Sequence, residues 1–350
     1  MNTEIISVSS DPTEYEKQIS RAADIIKRGG LVVFPTETVY GLGADATSES
    51  AAGRIYEAKG RPSDNPLIIH VSSPLDAERY AYTNEIYYKL AERFMPGPLT
   101  VILDSKDTVP PKTRGGLSTV AVRCPESKIA RDLIYASGVA IAAPSANLSG
   151  SPSPTNAGHV IDDMYGRVDM IIDGGESEFG LESTIVKIDN DGSLTLLRPG
   201  RITVEDLLEV VDNVLIADAV KDKLKDGETA LSPGMKYRHY APKAPLILVD
   251  GDVSALAKHI SDNSLGNVAV ICYDEDARTI SELLPGVKSY PFGARGDEIS
   301  QAHQLFSLLR EIDKAGHSVI FAPLPSTDGV GLALYNRMIR AAAHTIINLR

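Results

Sequence analysis

The sequence predicts an α/β protein with two domains: a large twisted, mixed sheet with helices, followed by a smaller Rossmann-like parallel α/β domain. Its 350 residues are about twice the length of a common domain. Before residue 200, helical stretches separate only some of the short apolar runs, which is typical of a mixed sheet. From residue 246 onward, apolar runs and helical periods alternate regularly, which indicates a parallel sheet. We therefore assign 10–205 to the first domain, 206–245 to a linker and 246–350 to the second domain.

The first domain opens with a helix over 14–28, where apolar side chains recur at helical spacing and two glycines follow as a stop. The next apolar run, 31–34, is uninterrupted, which predicts a strand buried on both faces. Similar runs predict strands at 67–71, 99–103, 119–122, 139–143, 170–172, 184–188 and 194–197. Because polar loops separate these strands, we expect polar side chains to gather at the edges of the sheet.

The second domain is predicted from apolar runs at 246–249, 268–272 and 319–321 and from helical periods at 253–262, 297–315 and 331–347. The residues after its first strand are Asp250-Gly251-Asp252, so the Gly-x-Gly-x-x-Gly signature of a dinucleotide site is absent there. The pattern predicts the fold of this domain but no ligand for it.

Composition and motifs exclude several classes of protein. The chain carries 35 Lys and Arg against 47 Asp and Glu, a net charge of -12, which excludes a global basic surface for nucleic acid. Its two cysteines, Cys124 and Cys272, cannot build a disulfide framework or a zinc cluster, and they fit a reducing cytoplasm. A signal-peptide pattern and an apolar run of ~18 residues are both missing, so we expect a cytoplasmic protein without a membrane partner. P-loop, Gly-x-Ser-x-Gly, His-Glu-x-x-His and kinase signatures are absent too.

Two polar segments near predicted strands carry candidate binding groups. Segment 34–43 contains the Thr36 hydroxyl and two glycines that admit a ligand close to the backbone, although a turn with a capping threonine explains the same residues. Segment 59–70 places Lys59 and Arg61 beside a helix end, where their charges suit a polyphosphate or a carboxylate. The alternative is that both cations complement the negative end of that helix.

Further polar groups lie at later strand ends. Alternation sends Thr119 and Arg123 to one face of their strand, where an arginine requires a carboxylate from the protein or from a substrate. The hydroxyl-rich loop 142–155 can surround a ligand, but an ordinary connection has the same composition. His70 by itself is more typical of a core histidine. Because no nucleophile–base pair accompanies these groups, they favour catalysis by positioning and charge neutralisation, as in phosphoryl and adenylyl transfer.

Taken in order, the motifs within residues 10–205 resemble the YrdC-like family. They are Pro35-Thr36-Glu37-Thr38-Val39-Tyr40-Gly41-Leu42, Lys59-Gly60-Arg61-Pro62, Asn65-Pro66-Leu67, Pro144-Ser145-Ala146-Asn147 and Ser183-Thr184. The second domain and the segment before it resemble the long, two-domain form of the threonylcarbamoyl-AMP synthase family. That segment reads Ser232-Pro233-Gly234-Met235-Lys236-Tyr237-Arg238-His239-Tyr240-Ala241-Pro242. Five motifs in one order are far more specific than any one of them alone.

The resemblance implies a nucleotidyltransferase that converts L-threonine, bicarbonate or CO2, and ATP to threonylcarbamoyl-AMP and pyrophosphate. It also implies Mg²⁺ as a cofactor that arrives with ATP. A separate transferase would use the diffusing product to form threonylcarbamoyladenosine in tRNA. The negative charge of the chain is therefore compatible with the resemblance, since tRNA binding by this protein is expected to be weak or indirect.

The resemblance also implies roles for individual residues. Lys59 and Arg61 are implied as catalytic residues that neutralise phosphate charge, and Arg123 as the group that holds the threonine carboxylate. The residues implied for L-threonine are Thr36, His70, Arg123, Ala143 and Ser183. Those implied for ATP are Lys59, Ser63, Thr119, Ser145, Asn147, Ser153, Arg198 and Tyr237. No residue is implied as the ligand of a protein-bound metal.

Two other classes of function stay open at this point. A YrdC-like sheet can act as a passive RNA-binding module, but the acidic composition argues against this. Carbamoyl-handling proteins of hydrogenase maturation also contain a YrdC-like domain. Those proteins carry zinc-finger segments, which two cysteines cannot supply.

Overall fold

The computed structural model describes residues 2–222, 231–233, 239–263 and 265–350. The chain divides into two compact units, with the main boundary between residues 236 and 237. Each unit is built on its own β-sheet. Among the residues that the structure describes, no helix combines the length and the apolar character that crossing a bilayer requires.

The first unit contains a mixed sheet of eleven strands. In chain order they are β1 (Glu4–Ser7), β2 (Val32–Phe34), β3 (Gly41–Asp45), β4 (Ile68–His70), β5 (Leu99–Asp104), β6 (Thr119–Arg123), β7 (Ile141–Ala142), β8 (Met170–Asp173), β9 (Thr184–Ile188), β10 (Leu194–Arg198) and β11 (Val214–Ile216). Their order across the sheet is β1-β8-β2-β3-β7-β4-β6-β5-β9-β10-β11. Five neighbouring pairs are parallel and five are antiparallel, which confirms the predicted mixed sheet.

The helices of the first unit begin and end at residues that suit helix termini. They are α1 (Pro12–Lys27), α2 (Glu49–Lys59), α3 (Glu85–Phe94), α4 (Lys128–Ser137), α5 (Ala157–Met164) and α6 (Val204–Leu208). The predicted first helix is α1, which begins where the Asp11 side chain accepts a hydrogen bond from the backbone N–H of Glu14. Its apolar face packs with α4 and β2 in one core cluster. The buried α1 residues are Ile19, Ala22, Ala23 and Ile26.

The glycines of segment 34–43 serve the packing of the sheet. β2 is buried along its whole length, as predicted, and β3 pairs with it. A Cβ atom added at Gly43 would lie 2.6 Å from Cε1 of Phe34 and 2.8 Å from Cγ2 of Ile141. The prediction that these glycines admit a ligand is therefore corrected at Gly43, because protein side chains fill the space beside it.

Replacing Gly43 by alanine tests this packing role. We expect the free energy of unfolding to fall by about 1–3 kcal/mol, the usual cost of overpacking a filled core. Gly53 in α2 is the matched control, because a Cβ there meets only the end of the flexible Lys112 side chain. Gly53→Ala should be neutral or stabilising, since alanine is the better helix former. Equal denaturation midpoints for the two variants would contradict the packing role.

The large sheet extends into the range predicted as a linker. β11 lies within 206–245 and pairs in parallel with β10, so it supplies the last strand of the first sheet. Residues 214–216 form the short apolar run Val-Leu-Ile, which was not predicted as a strand, and Leu215 and Ile216 are exposed at this edge. The remaining part of the linker lies partly outside the described residues.

The second unit contains a parallel sheet in the order β14-β13-β15-β12-β16. Its strands are β12 (Leu246–Asp250), β13 (Val268–Cys272), β14 (Lys288–Pro291), β15 (Val319–Pro323) and β16 (Ile346–Asn348). Its helices are α7 (Val253–Asp262), α8 (Ala277–Leu283), α9 (Glu298–Ala315) and α10 (Gly331–Ala341). The predicted parallel α/β fold is confirmed.

The last predicted helix is too long. α10 ends at Ala341, and the positive φ angles of Ala343 (50°) and His344 (65°) redirect the chain into β16. The prediction over 331–347 is thus wrong for its last residues. The apolar residues at 346 and 347 happen to fall at the spacing of the helical pattern before them, so the sequence predicts a longer helix. They belong to a strand because they pair with β12.

Candidate active site

Pairing between central strands brings the predicted threonine residues together. In the register of β4 and β6, His70 lies beside Arg123. In the register of β5 and β6, Thr100 lies on the other side of Arg123. Cross-strand partners project from the same face of a sheet, so these three side chains share one face.

Arg123 forms a buried ion pair with Glu37. Its Nη2 donates to Oε1 of Glu37 at 2.6 Å, and the two side chains are only 5% and 3% exposed. The other carboxylate oxygen of Glu37 accepts a longer bond from the backbone N–H of Ser127, at 3.4 Å. The prediction that an inner-face arginine needs an anion is confirmed, and here the protein supplies it. Glu37 was not predicted as a site residue, although it stands within the Thr36 motif.

The Thr36 hydroxyl organises its own loop. It donates to the carbonyl of Val39 at 2.7 Å and accepts from the backbone N–H groups of Thr38 and Val39. Thr36 is also within hydrogen-bond distance of the Thr38 hydroxyl, at 2.8 Å. These contacts form the turn that sequence reasoning offered as the alternative to binding, and they fix the loop from which Glu37 reaches Arg123.

His70 is a buried, neutral imidazole. Its pKa is lowered to about 3, first by burial and then by the nearby charge of Arg123, while backbone hydrogen bonds with Ile141 and Ile68 oppose the shift. Its Nδ1 atom is buried without a hydrogen-bond partner among the described residues. Since a buried polar atom without a partner is costly, this nitrogen is a candidate contact for a bound ligand.

The pKa of His70 gives a prediction for stability. The unfolded chain takes up a proton on His70 near pH 6.5, whereas the folded protein does so only near pH 3. Stability from this group is therefore complete above pH 6.5 and is lost as the pH falls toward 3. Between pH 7 and pH 5 we expect a loss of about 2 kcal/mol that His70→Gln does not show. Urea denaturation of both proteins at the two pH values measures it, and parallel losses would contradict the shift.

A second hydrogen-bonded group surrounds Ser183. Its hydroxyl lies 2.7 Å from the Thr100 hydroxyl and accepts from Nη2 of Arg198 at 3.0 Å. Nε of Arg198 donates to the Ser183 carbonyl, also at 3.0 Å. Through Thr100, the neighbour of Arg123, this group adjoins the Glu37–Arg123 pair. Thr100 was missed because nothing near it in sequence marks it, and only strand pairing brings it to Ser183.

Lys59 holds the loop after β7. Its Nζ donates to the carbonyls of Ser145 and Asn147 at 2.5 and 2.6 Å, and it lies 3.3 Å from Oδ1 of Asn147. The Ser145 hydroxyl donates to the same Oδ1 at 2.5 Å. Lys59 is 3% exposed, so its charge is buried among acceptor oxygens. The two predicted motifs at 59–62 and 144–147 therefore lie together, and Asn147 braces the loop.

Two other residues predicted near ATP also contact the protein. Arg61 donates to the carbonyls of Asn65 and Pro66 at 3.3 and 3.0 Å. The Ser153 hydroxyl donates to Oε1 of Glu182 at 2.5 Å.

The remaining predicted residues differ in their surroundings. Ser63 is exposed and Thr119 is half-buried at the start of β6. Ala143 is buried, and its backbone N–H donates to the carbonyl of Ile68 at 2.9 Å. Tyr237 lies outside the described residues.

The fold and this group of buried cations and hydroxyls define a protein of the YrdC-like class. The family model described as "Telomere recombination" matches residues 24–200, and the model described as "Threonylcarbamoyl-AMP synthase, C-terminal domain" matches 202–343. The chain belongs to the threonylcarbamoyl-AMP synthase family, in its long, two-domain form.

Individual relatives agree with this assignment. The threonylcarbamoyl-AMP synthase of Pyrococcus abyssi is 44% identical, across 99% of this chain and 100% of the relative. That of Bacillus subtilis is 41% identical, across 98% of each. The crystal structure of P. abyssi Sua5 complexed with L-threonine has a TM-score of 0.87 and 42% identity, and each chain is covered to 100%. The predicted family, fold class and enzyme class, an ATP-using nucleotidyl-type transferase of tRNA modification, are confirmed.

Proposed function

We propose that this site makes threonylcarbamoyl-AMP and pyrophosphate from L-threonine, bicarbonate or CO2, and ATP. The observation that carries the proposal is the buried Arg123, whose guanidinium holds a carboxylate at 2.6 Å on the inner face of the sheet. A guanidinium in such a place is suited to bind the carboxylate of a free amino acid. The solved relative with bound L-threonine supports this choice of amino acid.

In the threonine part of the site, the carboxylate of the substrate pairs with Arg123. The substrate carboxylate competes with or displaces the carboxylate of Glu37, which pairs with Arg123 in the protein without substrate. The unpartnered Nδ1 of His70, next to Arg123, accepts a hydrogen bond from the substrate. We also assign contacts with L-threonine to Thr36, Ala143 and Ser183. Recognition by buried polar groups selects a polar amino acid, because an apolar one would leave those groups unpaired.

In the ATP part of the site, Lys59 and Arg61 neutralise charge on the phosphates. The residues that we further assign to the nucleotide are Ser63, Thr119, Ser145, Asn147, Ser153 and Arg198, together with Tyr237, which lies outside the described residues. Mg²⁺ would be supplied with ATP, held mostly by phosphate oxygens and water, and would help to neutralise the charge of the phosphates. Glu37 and Glu182 are single buried carboxylates, and each already accepts a hydrogen bond from another residue. We therefore assign neither of them as a ligand of Mg²⁺.

The chemistry needs positioning more than covalent catalysis. The threonine amine adds to CO2 and releases a proton to solvent, which gives a carbamate, and a carbamate oxygen attacks the α-phosphorus of ATP. The bond from that phosphorus to the bridging oxygen breaks, and pyrophosphate leaves with the electron pair. Fixed cations beside the phosphates stabilise the charge that develops, and they act more strongly because they are buried. Lys59, at 3% exposure, is such a cation.

The partners follow from the chemistry of the product. We propose that threonylcarbamoyl-AMP diffuses to a separate transferase that modifies tRNA, so that tRNA contact by this chain is weak or indirect. The net charge of -12 supports weak or indirect contact with tRNA, whose backbone is itself negatively charged. We place the protein in the cytoplasm, a location that its two buried free thiols suit.

Pyrophosphate release tests the proposed reaction. The purified chain is incubated with Mg²⁺-ATP and bicarbonate, with and without L-threonine, and the adenylate is followed by mass spectrometry. Release that requires threonine and bicarbonate, together with the threonylcarbamoyl adduct, is the expected result. Threonine-independent release would point to another acceptor. Salt-dependent tRNA binding by a folded protein without turnover would favour the RNA-binding module instead.

A further inference from the structure

A cavity of about 660 Å³ lies in the first unit and contains none of the residues assigned to threonine or ATP. It lies between the chain that follows β4 and the outer side of α4. Its lining includes Ser72, Arg79, Tyr80, Lys128, Arg131 and Tyr135. A cavity of this size can hold a small organic molecule.

Two arginines of this cavity have no carboxylate partner among the residues that the structure describes. Nε of Arg131 is buried and makes no hydrogen bond there. Arg79 is exposed, and among the described residues its side chain makes one long contact, with the carbonyl of Gly138 at 3.4 Å, while its guanidinium carbon lies 5.4 Å from the centre of the Tyr80 ring. Arg131 is half-buried, and a buried Nε without a partner is costly, so a ligand that supplies an anion would satisfy Arg131 and could also reach Arg79.

The carboxylates beside the cavity already have donors of their own. Asp132 accepts from Lys128 and from the Tyr15 hydroxyl. Asp76 accepts from the Ser72 hydroxyl at 2.8 Å and from the backbone N–H of Ser73 at 3.1 Å. The lining thus contains three cationic and two acidic side chains, a positive balance in a chain whose net charge is -12.

We propose that this cavity binds a phosphorylated small molecule, with the phosphoryl group between Arg79 and Arg131. Forked guanidinium groups match phosphoryl oxygens geometrically, and charge-assisted hydrogen bonds would satisfy the buried Nε of Arg131. The cavity is larger than a phosphate ion, so it accommodates the organic part of an ester beside the Tyr80 and Tyr135 rings. The backbone N–H of Val71, at the wall of the cavity, donates to the backbone carbonyl of Arg123 at 2.9 Å, so this wall continues the pairing of β4 with β6.

Calorimetric titration of the full chain tests the proposal, with sn-glycerol 3-phosphate and inorganic phosphate as probes. A non-hydrolysable ATP analogue is kept saturating to block the active site. We expect the dissociation constant of the ester to rise at least about tenfold in Arg131→Gln and in Arg79→Gln. Arg21→Gln is the control, because Arg21 is an exposed arginine already paired with Glu4 at 2.7 Å. Its dissociation constant should match that of the wild type.

The two probes distinguish the sources of the phosphoryl group. Tighter binding of the ester supports a phosphorylated metabolite, and equal binding supports free phosphate as the ligand. If neither probe binds, or if both arginine variants bind as the wild type does, the proposal is overturned.

A second measurement does not depend on the folding of any variant. In the wild-type protein, phenylglyoxal should label Arg79 and Arg131 more slowly when sn-glycerol 3-phosphate is present, as mass spectrometry of the peptides would show. Unchanged labelling of both arginines would contradict the site.

Discussion

Replacing Arg123 by glutamine is expected to lower kcat/KM for L-threonine by about 10²–10³-fold, because the substrate carboxylate loses a charge-assisted pair in a water-excluded place. The same substitution leaves Glu37 as a buried charge without its partner, since Arg123 and Glu37 are 5% and 3% exposed. We therefore also expect the free energy of unfolding to fall by about 3–5 kcal/mol. Steady-state kinetics and urea denaturation measure the two effects separately.

Glu37→Gln is the matched variant that separates the effect on threonine binding from the effect on stability. It breaks the same ion pair but retains the guanidinium, so stability should fall while KM for threonine changes by no more than a few-fold. The double variant removes both charges and should recover part of the lost stability without recovering activity. An Arg123→Gln enzyme with the KM for threonine of the wild type would remove Arg123 from substrate binding. A double variant whose loss of stability equals the sum of the two single losses would show that the pair is not energetically coupled.

Buried elements of the fold were predictable because burial leaves a local pattern. The apolar run at β2, the helical periods of α1 and α7 and the glycine stop after α1 are short-range signals, and the structure has these elements within two residues of where the sequence placed them. β3 has no such signal, because its Gly-Leu-Gly sequence resembles a turn. It is a strand because it pairs with β2 and β7, and it has glycine at position 43 because Phe34 and Ile141 fill the space of a Cβ there. Tertiary pairing decided its structure against local propensity.

The site was predictable in its residue types but not in its contacts. Arg123 was expected to need an anion, yet Glu37 lies 86 positions earlier in the chain, and only the fold brings them together. Thr100 and Ser183 likewise meet across a separation of 83 positions. Local patterns report which groups a strand presents, whereas the partner of a buried polar group depends on strand order and register. The loop-bracing contacts of Lys59 could not be predicted for the same reason.

Replacing Lys59 by methionine should lower kcat/KM for ATP by about 10²-fold. The change removes the ammonium group that we assign to the phosphates and keeps the apolar stem. It also leaves the acceptor oxygens of Ser145 and Asn147 without their buried donor, at 2.5 and 2.6 Å in the native protein. We expect a loss of about 1–3 kcal/mol in the free energy of unfolding from that source.

Lys27→Met tests whether the effect is specific to Lys59. Lys27 and Lys59 both occupy the last turn of a helix, α1 and α2, so both complement the negative end of a helix dipole. That interaction alone predicts an equal loss of about 0.3–1 kcal/mol for the two variants, with unchanged kinetics. The Lys27 side chain is 51% exposed and has no part in the site, whereas Lys59 is buried beneath the loop at 145–147. A large difference in kcat/KM for ATP between Lys59→Met and Lys27→Met would show that the Lys59 ammonium serves the nucleotide site beyond its place at a helix end, and equal kinetics would reduce it to a helix-end charge.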